Sequence, residues 1–171
     1  MGLKSKLFLT LTASFSKETA TFLMAMLPIF ELRLAIPAAV LYLNMSVFQA
    51  FIISLAGNIA IIIPLLYFFK YFFHILENLW LIGKFFRWWF RSVEKRSKIV
   101  EKWGFWGLVC FVAIPLPGTG AWAGSVASTL FELRIKKGFT AIAIGVTIAA
   151  VIVTFLTILF QELVKTWFIS I

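Results

Sequence analysis

Two oppositely charged residues, Glu31 and Arg33, lie in the middle of a long apolar stretch. A charged side chain at bilayer depth costs about 2.5–3.5 kcal/mol on insertion scales, so such residues are retained where they pair or bind something. Arginine presents a planar, permanently charged fork, and we therefore predict that Arg33 binds an anionic substrate. A carboxylate in apolar surroundings holds a proton more readily than one in water, so Glu31 is the predicted proton-coupling residue. The alternative is a purely structural ion pair that holds a turn.

A second candidate site is the sequence Pro115-Leu-Pro117-Gly118-Thr119-Gly120-Ala121-Trp122. Glycines in such a loop allow backbone N–H groups to point at an anion, although a tight turn between packed helices is the alternative. Asn58 is a further candidate, and an interhelical hydrogen bond is its alternative role. The predicted substrate-binding residues are Glu31, Arg33, Pro37, Asn58, Pro115, Pro117, Gly118, Thr119, Gly120 and Trp122.

The remaining reactive residues argue against an enzyme. The chain has one cysteine, Cys110, and one histidine, His74, and neither has neighbours at metal-ligand spacing. The sequence shows no Ser/His/Asp set and no carboxylate pair positioned for acid–base catalysis. We therefore predict no catalytic residues, no metal and no cofactor.

The composition specifies the environment of these residues. Hydrophobic residues make up 62% of the chain and charged residues 13%, against about 45–50% and about 25% in soluble domains. A soluble fold has too little interior to cover this apolar surface, so we predict an all-α integral membrane protein. The net charge is +9, but the cations concentrate between Lys84 and Lys102, beside an apolar stretch. This placement favours membrane lipids over nucleic acid as partners.

Four apolar stretches approach the length of about 20 residues that a membrane-spanning helix needs. Residues 47–73 and 138–168 are predicted to be spanning helices. Residues 21–43 contain Pro28 and Pro37, which are both expected in a broken centre, and residues 105–131 contain prolines and glycines at positions 115–120. Each stretch is therefore predicted to form a re-entrant helical hairpin. Broken backbone at membrane depth must be covered by protein or water, and we therefore expect the two turns to meet near the midplane.

The order of these elements repeats along the chain as hairpin, span, hairpin, span. A shift of 88 residues places Phe51 on Phe139 and Gly57 on Gly145. Because each half contains one span, the second half would insert upside down. The sequence therefore predicts a pseudo-symmetric inverted repeat, an arrangement typical of transporters.

Two further segments complete a single predicted membrane domain over residues 1–171. Residues 1–20 are predicted as an N-terminal amphipathic segment, and residues 76–103 as an amphipathic helix at the membrane interface between the halves. Arg96 interrupts the apolar face of that helix, which includes Ile82, Phe86, Trp89, Val93, Val100 and Trp103. Its basic face carries Lys84, Arg87, Arg91, Lys95, Lys98 and Lys102.

The basic face also predicts how the protein is oriented. The positive-inside rule places residues 84–102 in the cytoplasm and the protein in the cell membrane. A basic funnel for an anionic substrate is the alternative use of this face. Because 171 residues are few for enclosing a transport path, we predict a homodimer.

Two motifs together resemble those of the small multidrug export protein family: Pro28-Ile-Phe-Glu31-Leu-Arg33-Leu-Ala-Ile-Pro37 and Pro115-Leu-Pro117-Gly118-Thr119-Gly120-Ala121-Trp122-Ala-Gly124. That family is in turn similar to the DedA and SNARE-associated (VTT-type) membrane proteins. The resemblance covers roughly residues 27–160, and it implies re-entrant hairpins packed with spanning helices. For the DedA relatives it implies lipid movement, including recycling of undecaprenyl phosphate.

These observations together predict a transporter or flippase for an anionic lipid-type substrate, with a polyprenyl phosphate as the expected example. One alternative is a proton-coupled multidrug exporter that uses Glu31, although Arg33 would repel a cationic drug. A second alternative is a membrane-organising protein that transports nothing.

Overall fold

The computed structural model describes residues 3–78, 83–116 and 118–169. Within these ranges the chain is helical apart from short connections, and no strand occurs, which confirms the all-α prediction. Ile82 and Pro117 lie outside the described residues. The helices in chain order are α1 (Leu3–Ser14), α2 (Lys17–Met26), α3 (Glu31–Leu41), α4 (Val47–Asn78), α5 (Gly83–Arg96), α6 (Lys98–Ala113), α7 (Ala121–Leu130) and α8 (Ile135–Ile169).

Helices α4 and α8 are long and apolar enough to cross a membrane, over Val47–Phe72 and Ile135–Leu163 respectively. Both helices expose large apolar side chains, among them Phe48 at 75% and Phe155 at 62%. Extended exposed apolar surface of this kind is unfavourable in water and favourable in lipid. The two predicted spans therefore correspond to α4 and α8, each somewhat longer than predicted.

The two proline-containing stretches are each divided into two helices, as predicted. Helices α2 and α3 are separated by residues 27–30 and pack against each other, and α6 and α7 are separated by residues 114–120 and do the same. Helices α2 and α3 have 10 and 11 residues. At about 1.5 Å per residue each is about 15 Å long, which is half of a hydrocarbon core of about 30 Å.

The position of one proline differs from the prediction. Pro28 lies in the turn, but α3 continues through Pro37, so the expectation that both prolines lie in a broken centre is wrong for Pro37. Proline inside a helix lacks the N–H that would bond to the carbonyl four residues earlier. Membrane helices tolerate this loss where neighbouring groups satisfy the backbone.

The connection between the halves is not the single amphipathic helix that was predicted for residues 76–103. Helix α4 extends to Asn78, α5 ends at Arg96, and α6 begins at Lys98. Between them, the Ser97 N–H and the Ser97 hydroxyl both donate to the Val93 carbonyl, at 2.8 and 2.7 Å. Lys98, Val100, Lys102 and Trp103 therefore form the first part of α6, which is kinked at Gly104 (φ 52°), so the predicted end of the segment at residue 103 coincides with a break in the helix. Trp103 is 61% exposed.

Helix α5 nevertheless has the predicted division into a basic and an apolar face. Its apolar face buries Phe90 and Val93, and the Phe90 ring contacts Phe69 of α4 at 6.2 Å between centroids. Its basic face forms a groove of about 420 Å³, which is lined by four cations and two other residues: Lys84, Arg87, Trp88, Arg91, Ser92 and Lys95. The side chain of Phe86 lies outside the described set.

Within the predicted N-terminal segment, Leu3–Ser14 form α1 and α2 begins at Lys17, and α1 packs against the first hairpin. Leu7, Phe8 and Leu11 of α1 contact a buried apolar cluster that comprises Met24, Ala25, Phe30 and Ala35. The Phe8 ring also meets the ring of Tyr42 edge-on, with centroids 6.0 Å apart. Protein therefore covers one side of the turn between α2 and α3.

Contacts divide the chain into two compact units, one of Met1–Asn58 with Ile148–Ile171 and one of Ile59–Thr147. In the first unit, a Cβ on Gly57 of α4 would collide with the Phe22 carbonyl oxygen of α2. In the second unit, a Cβ on Gly145 of α8 would lie 2.9 Å from the Val109 carbonyl oxygen of α6. Each unit thus uses a glycine to bring a long helix against the first arm of its hairpin.

The offset of 88 residues found in the sequence also relates the bounds of structural elements. Val47 and Ile135, which begin α4 and α8, are separated by this offset. The same offset separates Asn44 and Glu132, whose φ angles of 50° and 53° are both left-handed. Both residues follow the second arm of a hairpin, so the two units end their hairpins with the same backbone conformation.

We expect Gly57→Val to lower the free energy of unfolding by about 1–3 kcal/mol, because α4 must move away from the α2 backbone to fit the side chain. The matched control is Ala56→Val, since Ala56 is the exposed neighbour on the same helix. Thermal unfolding of both variants in detergent measures the difference. Equal melting temperatures would contradict the close approach of α2 and α4.

Candidate functional site

Glu31 and Arg33 lie at the start of α3, directly after the break in the first hairpin. The Arg33 Nη1 atom is 3.6 Å from the Glu31 Oε2 atom. Residues two apart on a regular helix do not face each other. Glu31, however, has a φ of 45°, a left-handed conformation that is uncommon for any residue except glycine. This irregular backbone brings the two charges together.

The surroundings of this pair are apolar and largely closed. The side chains of Arg33 and Glu31 are 14% and 11% exposed. The adjacent Phe30 belongs to the apolar cluster that α1 covers. The carboxylate also lies at the N-terminus of α3, where backbone N–H groups and the helix dipole favour a negative charge. The carboxylate of Glu31 therefore has two sources of positive potential beside it, the Arg33 guanidinium and the N-terminus of α3.

Pro37 and Asn58 lie in the same unit as this pair. Pro37 is half-buried in α3, four residues after Arg33, and it lacks the N–H that a regular helix would direct at the Arg33 carbonyl. Asn58 is buried in α4, and its Nδ2 donates a hydrogen bond to the Ala25 carbonyl near the end of α2, at 3.0 Å. This interhelical bond matches the structural role considered for Asn58.

Asn58 also keeps one unused hydrogen-bonding atom. Its Oδ1 and the Ser54 Oγ one helical turn earlier are buried and have no hydrogen-bond partner among the described residues. Buried polar atoms without partners are rare and call for a water molecule or a ligand. Asn58 therefore has a structural contact on one side of its amide and an acceptor available to a bound molecule on the other.

The turn of the second hairpin is organised by Thr119, which is 7% exposed. Its hydroxyl lies 2.7 Å from the Ile114 carbonyl oxygen and 2.9 Å from that of Leu116, and it donates to these acceptors. Gly118 and Gly120 have φ angles of 82° and 130°, which favour glycine. Pro115 lies in the same turn, half-buried. The described residues of the loop therefore form a hydrogen-bonded turn, which is the alternative considered for this sequence beside an anion-binding site.

Trp122 follows this turn in α7, where it is half-buried. The rest of α7 consists mainly of small buried residues, and a Cβ on Gly124 would lie 2.6 Å from the Val112 side chain of α6. The second arm therefore packs tightly against the first.

The structure adds Arg96 to this second site. Arg96 ends α5, and its Nη1 atom would lie 2.7 Å from a Cβ placed on Gly118. A cavity of about 520 Å³ adjoins it, lined by Arg96, Ile99, Phe111, Ile114, Leu116 and Thr119. In the sequence, Arg96 was notable only because it interrupts an apolar helix face. That feature did not indicate which loop Arg96 would reach.

The predicted site residues thus fall into two groups. The first unit contains Glu31, Arg33, Pro37 and Asn58, and the structure pairs the first two. The second unit contains Pro115, Gly118, Thr119, Gly120 and Trp122, with Arg96 beside the loop. The meeting of the two turns stays a prediction. Among the described residues, no group of three histidine, cysteine or acidic side chains is arranged to hold a metal ion.

Two long apolar helices with exposed faces, paired short helices and a shielded charge pair define a helical membrane protein with a polar site. A family described as "Putative small multi-drug export protein" matches residues 31–152, a range that begins at Glu31 and includes both candidate sites. The chain belongs to this family. No curated protein and no solved structure matches it. The family and the two apolar helices identify a membrane protein of an export family, whereas the relation to the DedA proteins stays a prediction.

We expect Thr119→Val to lower the free energy of unfolding by about 1–2 kcal/mol, because the loop carbonyls lose a buried hydrogen-bond donor. Thr147→Val is the matched control, since the Thr147 hydroxyl bonds to its own helix in an exposed position. Melting temperatures in detergent check this difference. An equally small change in both variants would show that Thr119 does not organise the loop.

Proposed function

We propose that this protein is a small cell-membrane transporter that moves an anionic amphiphile, with Arg33 binding the anion and Glu31 exchanging a proton. The observation that carries this proposal is the shielded ion pair of 3.6 Å at the break between two half-length helices. The family description supports export as the general activity. A charged pair among apolar side chains is also where intramembrane substrate and proton sites are found.

The pair provides a physical route to coupling. When Glu31 is ionised, it neutralises the Arg33 guanidinium, and an incoming anion must compete with the carboxylate. When Glu31 binds a proton, the guanidinium becomes available for a charge-assisted hydrogen bond with the anion. Proton binding and anion binding therefore favour each other, and Arg33 keeps a compensating charge in either state.

The proposed path uses the two hairpins as re-entrant elements on opposite sides of the membrane. The recurrence of element bounds at 88 residues supports a duplicated plan, and one spanning helix in each copy would invert the second copy. A homodimer would enclose the transport path more completely than a single chain does.

The proposed substrate class has one phosphate or carboxylate and a long hydrocarbon chain. Arginine suits such headgroups because its planar fork can make two parallel hydrogen bonds. A polyprenyl phosphate is the first compound to test, on the strength of the resemblance to the DedA proteins.

A second candidate function is export of cationic drugs in exchange for protons, and the family description favours it. In that case Glu31 binds the drug and the proton in turn, and Arg33 opposes drug binding. The two candidates predict opposite effects of pH, because protonation of Glu31 strengthens anion binding and weakens cation binding.

We expect Glu31→Gln in proteoliposomes to abolish the response of anionic-lipid transport to a pH gradient, because glutamine cannot exchange a proton. Arg33→Lys should reduce transport at least about tenfold, since lysine loses the bidentate contact. The controls are Glu132→Gln and Arg91→Lys, both at exposed positions. Transport of a polyprenyl phosphate is measured with and without the gradient.

Two results would contradict this assignment. Unchanged pH dependence in the Gln variant would remove Glu31 from the coupling. Drug binding that strengthens at high pH and depends on Glu31, together with anion binding that does not respond to pH, would instead establish the drug-exporter function.

We expect replacement of the basic residues of α5 by glutamine at positions 84, 87, 91 and 95 to produce chains in both membrane orientations. The reason is that these charges keep α5 on the cytoplasmic side. A Ser92→Cys label site in a Cys110→Ala background reports the orientation through a membrane-impermeant thiol reagent. Glutamine at Lys4 and Lys6 is the control and should leave the orientation unchanged. A single unchanged orientation in the quadruple variant would show that these charges do not set the orientation, and labelling of Ser92→Cys from outside in the chain that keeps all four cations would refute the cytoplasmic placement of α5.

A further inference from the structure

We infer that the cavity beside the second hairpin is an additional binding site for an amphiphilic anion, with the headgroup on Arg96 and the hydrocarbon chain along the neighbouring apolar side chains. This inference rests on the proposed function for its class of substrate, but it assigns a second location in the other unit. Arg96 was not among the predicted site residues, and the geometry of Gly118 and the cavity points to it.

The headgroup position follows from how Arg96 is held. It lies in the last turn of α5, where the helix dipole favours a positive charge. Its Nη1 atom would lie 2.7 Å from a Cβ on Gly118, so a residue with a side chain at this position would displace the guanidinium. Gly118 has a φ of 82°, which glycine adopts without strain. Arg96 is exposed at the end of α5, and the missing side chain of Gly118 leaves room for its guanidinium beside the loop.

The hydrocarbon position follows from the rest of the cavity. Apart from Arg96 and Thr119 its lining consists of apolar residues, and three of them, Ile99, Ile114 and Leu116, are 40–57% exposed. Among the residues that the structure describes, no acid lines this cavity. Its volume of about 520 Å³ is in the range of small-molecule sites. A single positive charge at the edge of an apolar surface matches an amphiphile with one anionic group.

The competing explanation is that Arg96 only braces the loop against α5. A brace contributes to stability and is indifferent to the solution around it. A binding site distinguishes headgroups of different charge, and it also distinguishes a headgroup with a chain from the headgroup alone. These differences decide between the two roles.

The test measures binding to the purified full chain in detergent. The probes are oleoyl lysophosphatidate, oleoyl lysophosphatidylcholine and inorganic phosphate, which separate the anionic headgroup, the hydrocarbon chain and the free anion. We expect the wild type to bind lysophosphatidate at least about tenfold more tightly than either comparison compound. In an Arg33→Gln background, which removes the cation of the first candidate site, Arg96→Gln should lose this preference and Arg96→Lys should retain part of it. Arg91→Gln removes the same charge from the basic face of α5 and should retain all of it.

Two results would overturn the inference. One is an unchanged preference in Arg96→Gln, and a lower melting temperature of that same variant would then identify a brace. The other is Arg96-dependent binding of inorganic phosphate as tight as that of lysophosphatidate, which would identify a site for a free anion.

The same assay separates this inference from the proposed function. Glu31→Gln and Arg33→Lys should leave the Arg96-dependent preference intact while they impair transport. If those two variants transport normally and the preference remains, the proposed function fails and the Arg96 site stands. If they impair transport and the preference is absent from the wild type, the Arg96 site fails and the proposed function stands.

Discussion

An ion pair among apolar side chains persists only where protein replaces the water that both charges have lost. In this chain the pair of Glu31 and Arg33 depends on a break in the backbone, because a continuous helix would direct the two side chains away from each other. The break in turn depends on α1, whose apolar residues cover the turn. The charged site thus depends on three features: the short helices α2 and α3, the left-handed backbone at Glu31, and the covering helix α1.

The hairpin breaks and the long apolar helices could be predicted from the sequence because each has a strong local signal. Pro28 marks the first break, Pro115 with Gly118 and Gly120 marks the second, and a long run of apolar residues marks each spanning helix. Pro37 shows where this reasoning stops. A proline removes a hydrogen bond but does not by itself end a helix, and only packing around α3 determines that the helix continues through it.

The candidate sites could also be predicted only as far as local sequence signals reach, and what depends on packing could not. Glu31 and Arg33 are conspicuous because charge is rare in an apolar stretch, whereas their contact required a backbone conformation that composition does not specify. Arg96 belongs to a basic stretch, so its charge alone does not distinguish it from Lys95 or Arg91. Arg96 lies near Gly118 because α5 ends at Arg96, directly before the turn at Ser97.

The two units follow one plan and supply charge to their hairpin turns differently. In the first unit the arginine belongs to the hairpin itself, and in the second it comes from the preceding helix. Glycines at equivalent positions, Gly57 and Gly145, bring a long helix close to each hairpin. Two units with similar element bounds and different charged groups fit the proposal of one site that couples to protons and another that only binds.

The most direct test of this account is the sidedness of the first hairpin in membranes. Single cysteines at Ser14 and Ser46, on either side of α2 and α3, are labelled with a membrane-impermeant thiol reagent in a Cys110→Ala background. Both positions are exposed at the ends of helices or in a connection. A re-entrant hairpin predicts that both cysteines react from the same side of the membrane. Reaction from opposite sides would show that residues 17–41 cross the bilayer, and the shielded intramembrane turn on which the account depends would not exist.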